Sequence, residues 1–311
     1  MSHFRAVSLM ILVTLLWSMA GVVTRHLDSA PSFEVTFWRS GFNALALAIA
    51  LTLRRGPGLW TRLLHSPGVI WISGICWAIM FTAFMVAITL TTVANVLVTM
   101  ALGPLITALF ARVFLQHKLP VATWMAIVTA GLGVTWMFFQ EGDTTLSLIG
   151  TLVALAIPLA AAVNFTIMQH VGLDRGRGGA AGGKPAQDML PSLLIGAVIS
   201  SLVTLPLSLP FQASVHDLGL LSLLGVAQLA IPCLLVVRLS RELPAPEILL
   251  LSLLEVIFGV AWVWLWAGER PSANTLSGGT LVLGALVANE LARILRLRKE
   301  KEKVKRVCHG L

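Results

Sequence analysis

Charge is scarce in this chain. Only 12% of its 311 residues are Asp, Glu, Lys or Arg, against 57% hydrophobic ones. That balance excludes a soluble domain with a hydrated surface and makes the bilayer the expected solvent. Cysteine is also rare: Cys76, Cys233 and Cys308 are odd in number and far apart, so neither a disulfide framework nor a metal cluster follows, and the redox compartment stays open. Histidine is absent from the apolar interior, because His3, His26, His65, His117, His170, His216 and His309 all fall at helix ends, in connections or in the tails. No span therefore carries an H-E-x-x-H site, a paired-His haem site or a Ser-His dyad, and membrane enzyme chemistry has no visible apparatus. No cofactor and no metal are expected.

Runs of about 20 apolar residues, the length needed to cross a bilayer, are plentiful. Ten are predicted: Ala6 to Thr24, Phe33 to Leu53, Val69 to Leu90, Val93 to Leu115, Val121 to Phe139, Leu146 to Val171, Leu190 to Leu209, Leu218 to Val237, Pro246 to Ala267 and Thr275 to Leu295. A lipid-facing barrel needs period-two alternation. Stretches such as Ile248 to Trp266 are apolar on every face, so the spans read as helices. The first run, with Arg5 before it and Ser18-Met19-Ala20 inside it, imitates a cleaved signal peptide but is long enough to span.

The net charge of +8 does not point to nucleic acid, since the basic residues sit between apolar runs and in one tail. With a cytoplasmic N-terminus, 19 Lys and Arg face one side, Arg54, Arg55, Arg62, Arg112, Arg238 and the tail from Arg293 to Arg306 among them, against Arg25, Arg39 and Arg270 on the other. The positive-inside rule then puts both termini in the cytoplasm. Trp60, Trp71 and Trp124 fall near the inner interface, and Trp38, Trp136, Trp264 and Trp266 near the outer one. Membrane lipids are expected partners, anionic headgroups meeting the basic tail, and the short loops suit a plasma (inner) membrane.

Several local patterns lead nowhere. Gly178 to Lys184 imitates a phosphate loop, but Pro185 stands where Ser or Thr would bind metal, and no strand precedes it. Gly172 to Asp188 reads as a flexible cytoplasmic linker. Cys308 stands fourth from the end, as in prenylation, but the middle pair, His309-Gly310, is not aliphatic.

Sliding the second half over the first by about 152 positions sets Leu97 on Leu249, Leu102 on Leu254, Lys118 on Arg270 and Thr123 on Thr275. Five spans per unit is an odd number, so the second unit enters the membrane upside down, the inverted repeat of many secondary transporters. The predicted fold is an all-α integral membrane protein of ten transmembrane helices in a 5+5 inverted-topology repeat. Its units are 1–143, 144–295 and a basic cytoplasmic tail, 296–311.

The chain resembles the drug/metabolite transporter superfamily, specifically the ten-helix EamA-type permeases, from Arg5 to Asn289. Leu15-Leu16-Trp17-Ser18 looks like the family's Leu-Trp-Gly opening of helix 1, and Trp38-Arg39 like its helix 2 arginine. Pro104 through Lys118 looks like its helix 4 ending, which Glu255 through Arg270 repeats in helix 9. Gln116-His117-Lys118 departs from the usual Gly-Glu-Arg, which Gly268-Glu269-Arg270 keeps, and Val256 replaces a proline. The resemblance implies ATP-independent export or exchange of a small metabolite such as an amino acid, through a central cavity lined mainly by helices 1, 3, 4, 6, 8 and 9. Fold analogy does not name the substrate. An intramembrane enzyme and a non-transporting membrane subunit are the alternatives, and the protein is expected as a monomer or homodimer.

Glu255 is predicted to be the only acid deep within a span. It reads either as a proton-coupling or substrate-amine site, or as a neutral carboxyl bonded to a neighbouring helix. Arg39 could snorkel outward along its own stem, and reads as structural or topological rather than as a substrate contact. Asn95, Asn164 and Gln228 are amides that bond across helices or contact substrate. Trp17, Met80, Phe81 and Met100 supply an apolar wall or plain packing. Pro104, Pro158 and Pro232 are predicted to kink helices 4, 6 and 8.

Overall fold

The computed structural model describes residues 3–56, 58–114, 121–138, 144–178, 188–239, 251–252, 254–268 and 270–309. Within them the chain is helical and contains no strand. The helices are α1 (His3–Thr24), α2 (Ser32–Arg55), α3 (Leu59–Leu64), α4 (Gly68–Leu90), α5 (Val93–Met100), α6 (Gly103–Phe114), α7 (Val121–Phe138) and α8 (Thr144–Gly178). They continue with α9 (Leu190–Thr204), α10 (Val215–Leu223), α11 (Ile231–Leu239), α12 (Leu254–Trp266) and α13 (Ala273–His309).

Four stretches are long and apolar enough to cross a membrane: Phe4–Thr24, Gly68–Leu90, Leu190–Leu207 and Val215–Leu239. Shorter apolar helices lie at Val121–Gly133, Leu148–Asn164 and Leu254–Trp266. Large apolar side chains such as Leu53, Met125, Leu152, Leu202 and Leu265 stay exposed on the outside of the bundle, as a lipid solvent permits.

Proline places the irregularities. Pro104 has no N–H for the carbonyl of Met100, and the predicted fourth span breaks there into α5 and α6, with a tight Leu102 N to Thr99 O bond at the break. Pro232 likewise cannot donate to Gln228. The turn before it widens into a π-helix, Leu224–Ala230, inside the continuous run from α10 to α11. Pro158, by contrast, sits inside α8 without ending it. The predicted linker starts later than expected, because α8 runs on to Gly178, and the stretch from 179 to 187 lies outside the described residues.

Helices from the first half of the sequence, α1–α7, interleave with those from the second, α8–α13. The packed pairs include α4 with α8 and with α9, α2 with α9 and with the π segment, α1 with α11 and with α12, α6 with α8, α5 with α12, and α7 with α13. The α4 and α9 backbones approach so closely that a Cβ on Gly196 would lie 2.4 Å from Trp77 Cβ and 2.9 Å from the Gly74 carbonyl. Small residues at such crossings substitute for the hydrophobic driving force that lipid removes. Hydroxyls lock the same seam: Ser200 Oγ is 2.9 Å from Ser40 Oγ and 2.8 Å from Thr82 Oγ1, joining α9 to α2 and α4.

Candidate functional site

Arg39 is the centre of the buried polar chemistry. Two turns into α2 it is only 2% exposed, which corrects the expectation that it snorkels to the interface. Its Nε and Nη2 donate to Gln228 Oε1 at 3.3 and 2.8 Å, and its guanidinium lies 5.6 Å from the Phe84 ring centroid. Gln228 in turn donates through Nε2 to the Trp17 carbonyl at 3.0 Å. The chain from α2 through the π segment to α1 thus joins both halves. The π-helix makes it reachable: it packs backbone to backbone on α2, where a Cβ on Gly225 would meet the Arg39 carbonyl at 2.7 Å.

This network is incomplete. Arg39 Nη1 and both amide atoms of Asn43, one turn further along α2, are buried without a hydrogen-bond partner. No carboxylate of the described residues lies within 4 Å of the Arg39 guanidinium. An unpaired buried charge in a bilayer is costly and marks function by default. Glu255, in α12, is half-buried and interacts electrostatically with Arg39 without touching it.

The other predicted residues separate into three groups. Trp17 and Phe81 pack in the cluster around Leu47, Leu193 and Leu229, next to Gln228. Met80 and Met100 pack against a second cluster, around Val96, Leu97 and Ile157. The two remaining amides bridge helices. Asn95 donates to Thr91 Oγ1 at 3.2 Å and accepts from Thr275 Oγ1 at 3.3 Å, joining α5 to α13. Asn164 accepts from Ser73 Oγ at 2.6 Å, joining α8 to α4, while its Nδ2 is buried and unpartnered. None of these six residues, nor Gln228 or Glu255, lines either of the two cavities described, of about 560 and 300 Å3.

Two buried acids escaped the sequence reading. Glu34 is fully buried and accepts from the Gln212 and Ala213 N–H groups at 2.8 and 3.0 Å and from Trp38 Nε1 at 3.1 Å. Asp217 is equally buried. It accepts from the N–H groups of Asp28, Ser29 and Ser214 and from Ser29 Oγ, at 2.7 to 3.2 Å. A signal for Asp217 was present, since Ser214-Val215-His216-Asp217 is a capping-box pattern and both of its bonds form. Glu34 has no comparable signature. Asp28, His216 and Asp217 bring their ligand atoms within 4.8 Å of one another, but the Asp217 oxygens already hold four donors. The cluster is a tether between halves.

A bundle of apolar helices with lipid-facing side chains outside and a charged, incompletely paired network inside is a multi-pass membrane protein with a buried polar seam. Residues 4–139 match the EamA-like transporter family. That match, with relatives named as transporters, supports a membrane transporter and is consistent with the drug/metabolite transporter superfamily. It is 23% identical over 286 residues to the pseudopaline exporter CntI of Pseudomonas aeruginosa, covering 91% of this chain and 94% of the relative. It is 25% identical over 225 residues to the uncharacterized transporter YdfC of Bacillus subtilis, covering 69% of each. A solved crystal structure superposes with a TM-score of 0.61 at 19% identity, over 94% of this chain and 99% of the other, a likeness of fold.

Proposed function

We propose that the protein is a secondary transporter that exports or exchanges a small metabolite, such as an amino acid or a related compound, by alternating access without ATP. The observation that carries this is a guanidinium and a carboxyl group inside the bundle that do not meet: Arg39, with Nη1 unpartnered, and the half-buried Glu255. A solute with a carboxylate and an ammonium group complements both, its carboxylate on the guanidinium and its ammonium on Glu255. Trp17, Phe81, Met80 and Met100 supply the apolar wall, and Gln228, Asn95 and Asn164 the amides, of a site that assembles as the helices move. The relative named as an exporter favours the outward direction.

The ten-span inverted repeat, with units 1–143 and 144–295 and the tail 296–311, is supported by the contact pattern. Let α5 and α6 form one span, and let α10, the π segment and α11 form another. Exchanging each span with the one five places along then turns α4–α8 into α11–α1, α4–α9 into the π segment–α2, and α6–α8 into α12–α1. The pairs α2–α9, α5–α12 and α7–α13 map onto themselves. Such self-mapping is what two equivalent halves require. With the basic residues inside, both termini are cytoplasmic and the chain lies in the plasma (inner) membrane, as monomer or homodimer.

Flux of radiolabelled amino acids, polyamines and nucleosides into proteoliposomes is the direct test. We expect saturable flux of an amino acid or related compound without chemical change. We expect Glu255→Gln to lower it about tenfold or more and to flatten its pH dependence. Unchanged flux and pH profile in the variant exclude that role for Glu255.

A further inference from the structure

The geometry points to a binding site for an anionic phospholipid at the end of the bundle opposite Glu34 and Asp217. There Arg54 and Arg55 at the end of α2, Asp188 before α9 and Arg238 at the end of α11 rim a cleft of about 560 Å3 whose wall includes Ile231 and Leu234. Arg55 forms an ion pair with Asp188, so one positive charge is neutralised at the rim. Arg54 and Arg238 are exposed, and their charges remain in surplus above an apolar trough between helices.

The two features of the cleft select one occupant. A guanidinium holds a phosphodiester through charge-assisted hydrogen bonds, and basic pockets between membrane helices bind lipid headgroups in this way. Ile231 is 46% exposed and faces the trough, so an acyl chain laid along α11 covers apolar surface that a soluble phosphate leaves wet. A zwitterionic lipid fits the trough but leaves the two surplus charges unmatched. An anionic lipid such as phosphatidylglycerol brings one phosphodiester charge with no cation beside it to offset it, and both guanidiniums can donate to its oxygens. The site is separate from the Arg39 network and does not depend on the transport reading.

The test is competition between phosphatidylglycerol and phosphatidylcholine of matched acyl chains for the purified full-length protein, read as retained lipid by native mass spectrometry, with glycerol phosphate as a third probe. The wild type is expected to retain phosphatidylglycerol preferentially. Arg54→Gln and Arg238→Gln should each reduce that preference about fivefold. Leu234→Trp, which fills the trough without changing charge, should lower retention of both lipids, and Arg270→Gln at the opposite end should leave the preference intact. Absence of a preference in the wild type overturns the site, as does an Arg270→Gln loss equal to that of Arg54→Gln. Displacement by glycerol phosphate at the same concentration as lipid overturns it too, by making the ligand a free phosphate.

Discussion

Gln228 holds more of the buried polar seam than any neighbour, since its oxygen takes both donors of Arg39 and its nitrogen reaches the Trp17 carbonyl. Gln228→Leu strands a buried guanidinium, and loss of a hydrogen-bond partner to a buried charged group costs about 3 kcal/mol or more. A lowered melting temperature of the purified protein is the expected result. Gln228→Glu, which keeps an acceptor, should fall by less. Equal melting temperatures for Gln228→Leu and the wild type would show that Arg39 does not depend on this amide. At this scale the sequence was partly legible. Intramembrane polarity flagged Gln228, Asn95, Asn164 and Glu255, because each is an expensive residue in an apolar run. It misjudged Arg39, which lies close enough to a helix end to reach water by its own stem. Only the partner 189 positions away, brought near by the π-helix, keeps it inside.

Helices were read from hydrophobic length, and their interruptions from proline. That is why the breaks at Pro104 and around Pro232 follow residues already singled out. Length could not separate a kink from a wide turn, and the π-helix is a tertiary outcome: its backbone lies close on α2 at Gly225, where a Cβ would meet Phe42 Cβ at 2.6 Å and the Arg39 carbonyl at 2.7 Å. Replacing Pro232 by Ala restores an N–H to the turn and should let the segment tighten to α-helix, rotating Gln228 away from Arg39. Solute flux is then expected to fall while the protein remains folded; full flux in Pro232→Ala argues against a role for the wide turn. The α4–α9 crossing makes a second demand. Gly196→Ala puts a methyl group into Trp77 and the Gly74 carbonyl, and overpacking of this kind costs about 1 to 3 kcal/mol, measurable as a drop in melting temperature. An unchanged melting temperature would mean that the seam yields more readily than its contacts suggest.

For the whole molecule, the proposed threading of the chain rests on counting spans and basic residues, and a reporter experiment checks it. Fusions near Arg55 and near Glu141 are expected on opposite sides of the membrane, Arg55 inside. Finding both in one compartment removes the inverted repeat and the alternating-access reading with it. What the count could not supply was how the halves are joined, because hydrogen bonds between residues nearly 200 positions apart leave no periodic trace.

Those joints decide which pieces of the protein can swing. Eight hydrogen bonds clip the start of α2 and the turn before it to the stretch from Gln212 to Asp217. The Ser40, Ser200 and Thr82 hydroxyls fasten α2, α9 and α4 further along. A hinge at the midpoint of the sequence would have to tear all of these at once. In the proposed alternating access the rigid bodies are therefore mosaics, each borrowing helices from both halves of the sequence, and the midpoint of the sequence is not the line along which the protein bends.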